Sequence, residues 1–172
     1  MKKFLTLLTF SLFALGLSAQ EIGASFVQNK YIQATKRTIR SEGVVFFTAP
    51  DQLRMNYLDP KGDYLIIDGN MVHTNLAGKR MDVNTDNNVS MRSLRNTLIN
   101  CIMGEYEKAA QDNDAEVVVE KKGDGKVVTM TARKQAAKGY SKILVEYNAL
   151  KRPVRMVLDE FNGISTEYTF AY

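Results

Sequence analysis

Between Phe46 and Thr74 the chain reverses direction every few residues, and that spacing limits its fold more than any other feature. The stretch FFTAPDQLRMNYLDPKGDYLIIDGNMVHT contains the apolar-rich runs Leu53–Leu58, Tyr64–Ile67 and Met71–Thr74, separated by Asp59-Pro60-Lys61-Gly62 and Asp68-Gly69 and preceded by Ala49-Pro50-Asp51. Runs of this length rich in Leu, Ile, Val, Met and Tyr, bounded by Pro, Gly and Asp, read as strands and tight turns. Such turns join antiparallel neighbours, so the segment is a meander. In the middle run Leu53, Met55 and Tyr57 alternate with Arg54 and Asn56, which puts the three apolar residues on one face and the two polar ones on the other. The functional question is whether that apolar face is ordinary core or a surface kept for something else.

The same reading extends along most of the chain. Ala24–Ile32 is a strand or extended segment, Gln33–Arg40 a polar connection and Gly43–Phe47 a second strand. After the meander the period changes. From Val89 to Ala110 the residues Met91, Leu94, Leu98, Ile102 and Tyr106 recur at spacings of three and four, which predicts a helix, capped by Asn88 or Ser90 and loosened or interrupted at Gly104. Ile99 and Met103 widen its apolar stripe, so the helix is expected to lie over a sheet. Strands resume at Val117–Lys121 and Val127–Ala132 around a Gly123-Asp124-Gly125 turn, then at Lys142–Asn148, Val154–Leu158 and Ile164–Tyr172. There is no internal repeat or low-complexity linker. The expected architecture is mainly β (α+β): one domain, residues 20–172, built on a long curved antiparallel sheet with one helical insertion.

Lys2 and Lys3 followed by the apolar run Phe4–Leu17 and the small residues Ser18 and Ala19 read as a signal peptide, 1–19, cleaved after Ala19. Roughly 20 apolar residues are needed to span a bilayer, and this run is shorter. The mature chain would have 153 residues (172 minus 19), enough for one core. Removing Lys2 and Lys3 from the 23 basic residues leaves 21 against 19 acidic ones, a balance that argues against a nucleic-acid partner. Cys101 is the single cysteine, which excludes an intrachain disulfide, and Gln20 stands where a lipid-anchored protein would have its cysteine.

Catalytic and metal chemistry find little support. His73 is the single histidine, Cys101 falls in an apolar helical stripe, Asp112 and Asp114 lie in a polar connection, and Gly123 and Gly125 belong to a hairpin turn. The chain is therefore expected not to be an enzyme and to need no cofactor or metal.

Several blocks taken in order carry a resemblance: Ser25–Lys30, Ser41–Phe47, Pro50–Tyr57, Pro60 and Ile66–Gly69, then Tyr140–Ile143, Pro153–Met156 and Thr166–Phe170. Together they resemble the periplasmic outer-membrane lipoprotein carriers, the LolA-like family. The resemblance implies an unclosed half-barrel whose concave apolar face is covered by a helical lid and receives acyl chains. Each CH₂ buried is worth about 0.8 kcal/mol, so a long chain costs roughly 10 kcal/mol to hold in water and needs a shield to cross the periplasm. The implied acyl-chain-binding residues are Val45, Phe47, Leu53, Met55 and Tyr57 on strands and Leu94, Leu98 and Ile102 on the lid helix; for each, the plain alternative is core packing. On alternation Arg54 faces outward. Implied partners are acylated lipoproteins or other lipid cargo, an inner-membrane lipoprotein-releasing transporter and an outer-membrane acceptor, with the carrier a monomer in the periplasm. Two departures from the family pattern stand out. Ala49 occupies the position of an arginine that ties the lid shut, and no room for an amphipathic helix precedes Ala24. A relative carrying a different lipid, and an envelope scaffold docking a partner protein, are the competing readings.

Overall fold

The computed structural model describes residues 21–135 and 138–172; the expected signal segment, 1–19, lies outside the described residues. One eleven-stranded antiparallel sheet makes up the body of the protein. Its first half is β1 (Glu21–Ile32), β2 (Arg37–Thr48), β3 (Gln52–Asp59), β4 (Tyr64–Asp68), β5 (Met71–Leu76) and β6 (Lys79–Asn84). A 3₁₀ turn and two helices, α1 (Val89–Met103) and α2 (Tyr106–Asp112), follow. The second half is β7 (Ala115–Lys122), β8 (Gly125–Ala132), β9 (Tyr140–Tyr147), β10 (Pro153–Glu160) and β11 (Ile164–Ala171).

The strand order, β6-β5-β4-β3-β2-β1-β11-β10-β9-β8-β7, explains where the helices sit. The chain meanders outward from β1 to one edge, crosses to the opposite edge through α1 and α2, and meanders back until β11 pairs with β1. The sheet does not close, and the helical crossover covers its concave face. Alternation holds on that face: Leu53, Met55 and Tyr57 are buried, as are Ile143, Val145 and Tyr147, while Arg54 is exposed on the convex side. A bulge between Pro153 and Arg155 shifts the phase of β10, so Met156 and Leu158 are buried and Val154 only half-buried.

Two details depart from the expected elements, and a third follows the break expected at Gly104. The connection placed at Gln33–Arg40 is only Gln33–Lys36; Arg37–Arg40 extend β2 because the twelve-residue β1 gives them a full ladder partner, from Ile32↔Arg37 onward. The edge strand β6 was not expected, since its residues Lys79–Asp82 are exposed and carry no alternation. The helix expected over Val89–Ala110 is two helices. Gly104 adopts the left-handed conformation (φ 76°) and its N–H caps the Asn100 and Cys101 carbonyls, ending α1. At the start, Asn88 is the cap: its side-chain oxygen accepts from the Met91 N–H at 3.0 Å.

The second half of α1 is buried on every side, from Thr97 to Ile102. Leu98, Ile99 and Ile102 belong to the core. Two polar members are met by partners on the α2 side: Asn113 donates to the Thr97 hydroxyl at 3.0 Å, and Asn100 donates to the Asp112 carboxylate at 3.2 Å. The Tyr147 hydroxyl donates to the Cys101 carbonyl at 2.9 Å and fastens this end of the helix to β9. The first half of α1 is only partly covered, and a cavity opens beside it on the concave side.

Candidate functional site

The cavity has a volume of about 430 Å³, within the range of roughly 300–1,000 Å³ typical of small-molecule sites. Its helical wall is Ser90, Met91, Ser93 and Leu94, one face of α1 by the i, i+3, i+4 rule. Its apolar floor includes Tyr57, Leu65, Leu158 and Tyr168, and its mouth carries Gln28, Lys30, Lys138, Glu160 and Asn162.

A missing side chain sets up the floor. Phe26 on β1 and Tyr57 on β3 are both paired to Gly43 on the intervening β2. With no Cβ between them, the two rings meet edge to face, centroids 5.2 Å apart at 88°. Tyr168 on β11 joins at 6.3 Å from Phe26. The Tyr57 hydroxyl donates to the Gln28 side-chain oxygen at 2.7 Å. Burial, with the Asp63 carboxylate adding to it, pushes the Tyr57 phenol up to about 12. Burial followed by Glu160 raises Tyr140 as well, and burial with neighbouring Tyr57, Tyr140 and Glu160 raises Tyr168 well above the ordinary tyrosine value. All three are neutral hydrogen-bonding groups near pH 7.

The eight residues singled out from sequence separate into three environments. Tyr57 and Leu94 line the cavity. Val45, Phe47 and Ile102 surround a much smaller void of about 10 Å³ near the other end of α1. Leu53, Met55 and Leu98 are each 1% exposed and packed in the core, Leu53 also forming the bottom of a separate groove that Arg54, Phe46 and Ile66 share on the convex side. Met91, Tyr140, Leu158 and Tyr168 were not singled out. Tyr168 lay on a strand face already read as apolar, and Met91 on the predicted helical stripe, so both were within reach of the periodicity argument.

The helix is also tied to the sheet at its exposed end. Arg95 donates to the Gly69 carbonyl in the β4–β5 turn at 2.6 Å, and its guanidinium lies 3.9 Å from Asp51 in the β2–β3 turn. The position before Pro50 is Ala49, so the link between this turn and the helix comes from the helix side. Among the described residues no three His, Cys, Asp or Glu side chains are grouped to hold a metal, and no helix is long and apolar enough to cross a membrane. Cys101 is fully buried, and burial pushes its thiol up to about 12.

An unclosed antiparallel sheet with helices across its hollow matches the architecture that the sequence blocks implied. The sequence model of the family described as outer membrane lipoprotein carrier protein LolA matches residues 18–172. The chain belongs to the LolA family. No curated protein sequence matches it. Similar solved structures include a LolA superfamily protein from Nitrosomonas europaea, at 11% identity and a TM-score of 0.42, covering 90% of this chain and 86% of that one. A DUF1329 family protein from Desulfovibrio piger follows at 9% identity and a TM-score of 0.43, covering 90% and 85%. The Mycobacterium tuberculosis lipoprotein LppX has 10% identity and a TM-score of 0.35, covering 87% and 84%. The family assignment rests on the sequence match over 18–172.

Proposed function

We propose that this protein is a non-catalytic periplasmic carrier that shields the acyl chains of lipoproteins, or of a related lipid cargo, between the inner and outer membranes. The observation that supports it is the cavity beside Leu94: apolar on its floor, polar at its mouth, and walled by the half of α1 that is least buried. The opposite half of the helix is core, so a chain entering here displaces little packed surface. An acyl chain lying against Tyr57, Leu65, Met91 and Leu94 regains part of the roughly 0.8 kcal/mol per CH₂ that water costs it. A releasing transporter at the inner membrane and an acceptor at the outer one are the partners such a role requires.

The test is native mass spectrometry with lipid extraction on mature protein purified from the periplasm, comparing wild type with Leu94→Glu. Leu94 is half-buried and lines the cavity, so a carboxylate there blocks the site while sparing the fold; at Leu53, 1% exposed, it would break the core. Acylated species on the wild type and not on the variant are expected. A folded wild type that stays empty when offered a triacylated peptide overturns the proposal.

A further inference from the structure

The inward face of β1 changes chemistry along its length. Phe26 is core, Gln28 is half-buried at the cavity, and Lys30, also half-buried, lines the same cavity from the sheet's central strand. A lysine on the concave face of a central strand is costly unless its charge is answered. Lys30 faces Thr166 on β11 across the ladder, not a carboxylate. Neither it nor Lys138, which lines the same cavity, has a carboxylate oxygen within 4.0 Å among the described residues. Glu160 lines the same mouth and one of its oxygens accepts from the Asn162 amide at 2.9 Å. Two lysines against one glutamate leave the mouth with a net charge of +1.

A second, independent feature lies deeper. Tyr168 is only 6% exposed and lines the cavity, yet its hydroxyl has no hydrogen-bond partner among the described residues, unlike that of Tyr57, which is committed to Gln28. Tyr140 is likewise uncommitted at the cavity wall. The buried side-chain oxygen left without a partner among the described residues is Thr74 Oγ1 and not a phenol, so the Tyr168 hydroxyl is reached from the cavity and is free to donate to an acceptor arriving there. An ammonium group only donates and a phenol can donate, so all four groups can turn a donor toward an anionic oxygen, with Glu160 the one carboxylate on the same lining.

We infer that the cavity selects amphiphiles with an anionic oxygen headgroup, carboxylate or phosphate, held by Lys30, Lys138 and the hydroxyls of Tyr140 and Tyr168, with the apolar chain against Leu65 and Leu94. This specificity rests on the acyl-binding reading above and adds the headgroup to it.

The experiment is displacement of a fluorescent acyl probe by four competitors of matched chemistry: hexadecanoic acid, hexadecyl phosphate, hexadecanol and inorganic phosphate. For the wild type, one or both anionic amphiphiles should bind at least tenfold tighter than hexadecanol, and the tighter of the two names the headgroup. In Lys30→Gln/Lys138→Gln, and separately in Tyr168→Phe, the ratio of anionic-amphiphile to hexadecanol affinity should fall at least several-fold. Both variants are checked for wild-type melting; if the double-lysine variant fails to fold it is replaced by Lys138→Gln alone, and if Tyr168→Phe fails to fold it is replaced by Tyr140→Phe. Equal binding of anionic and neutral chains, or a preference untouched by either variant, overturns the headgroup assignment and leaves the acyl site standing. Failure of every chain-bearing competitor, or competition by inorganic phosphate alone, overturns the acyl reading and this inference with it.

Discussion

Gly43→Ala should damage this protein far more than loss of one glycine suggests. An added Cβ would sit 2.1 Å from the Asn56 carbonyl oxygen, 2.9 Å from the Tyr57 Cα and 2.9 Å from the Phe26 ring, where real Cβ contacts are essentially never under 3.0 Å. Two of these atoms are β3 backbone, which no rotamer change can move. The strands must part by about 1 Å, weakening the pairs Gly43↔Tyr57 and Val44↔Asn56. Two or three ladder hydrogen bonds at about 1 kcal/mol each, plus about 0.5–1.5 kcal/mol for the Phe26–Tyr57 edge contact, give roughly 3–4 kcal/mol. Against a total of about 5–15 kcal/mol that is a large share. For a domain of this size each kcal/mol lowers Tm by about 2–4 °C, so a fall of roughly 10 °C is expected. Gly23→Ala is the matched control on the neighbouring strand, where the new Cβ would meet only the flexible Phe46 ring at 3.4 Å. Its melting should stay within about 0.5 kcal/mol of wild type. Thermal and urea unfolding of the pair decide the matter: if both variants melt alike, the close approach of β2 and β3 is not what Gly43 serves. The displaced Tyr57 should also weaken binding of any chain in the cavity.

Two further perturbations test how the helix and the phenols are held. Arg95→Ala removes the hydrogen bond to Gly69 and the contact with Asp51, while Tyr147 and Asn113 still anchor the other half of α1. Amide exchange over Val89–Leu94 should speed up several-fold, with a global loss of about 1–2 kcal/mol; unchanged exchange there would show that Arg95 does not restrain the helix. The second perturbation is alkaline pH. The folded Tyr57 holds its proton up to about 12 against 10.0 for an ordinary tyrosine, so the native state binds the proton more tightly than the unfolded chain. Its stabilisation is complete below pH 10 and is lost as the pH rises toward 12, about 3 kcal/mol over the window. Tyr140, Tyr147 and Tyr168 are shifted the same way, which extends the loss above it. Melting followed from pH 9 to 12, with tyrosinate absorbance as the second signal, should show buried phenols ionising together with unfolding, and Tyr57→Phe should flatten the early part of the decline. Phenols that ionise near pH 10 in a protein that remains folded would contradict the buried placement.

The sheet was legible because alternation and turn residues are local signals, and β3 shows them at full strength: buried Leu53, Met55 and Tyr57 between exposed or half-buried partners. The same signal reported the core more faithfully than the cavity. Leu53 and Met55 sit at the most regular alternation in the chain and end up fully packed, because regular alternation is what a uniformly apolar hollow requires. A cavity with a polar mouth requires the opposite. Along β1 the inward positions run Phe26, Gln28, Lys30, which scores as a weak strand with no clear face, and its central place in the sheet follows only from the β1–β11 pairing, between residues far apart in sequence. The edge strand β6 was illegible for a related reason: an edge that must avoid pairing carries Lys79, Arg80 and Asp82 in place of a pattern. A sheet tolerates an inward lysine only where solvent or a ligand answers its charge, and the half-buried Lys30 lines the cavity at such a position. Lys30→Leu distinguishes the two roles. If Lys30 is a mere irregularity of packing, the leucine extends the apolar floor and raises stability by about 1 kcal/mol or more with binding unchanged. If it serves the cavity, the same gain in stability comes with loss of the preference for anionic amphiphiles, and a stabilised variant that retains that preference would remove Lys30 from the site.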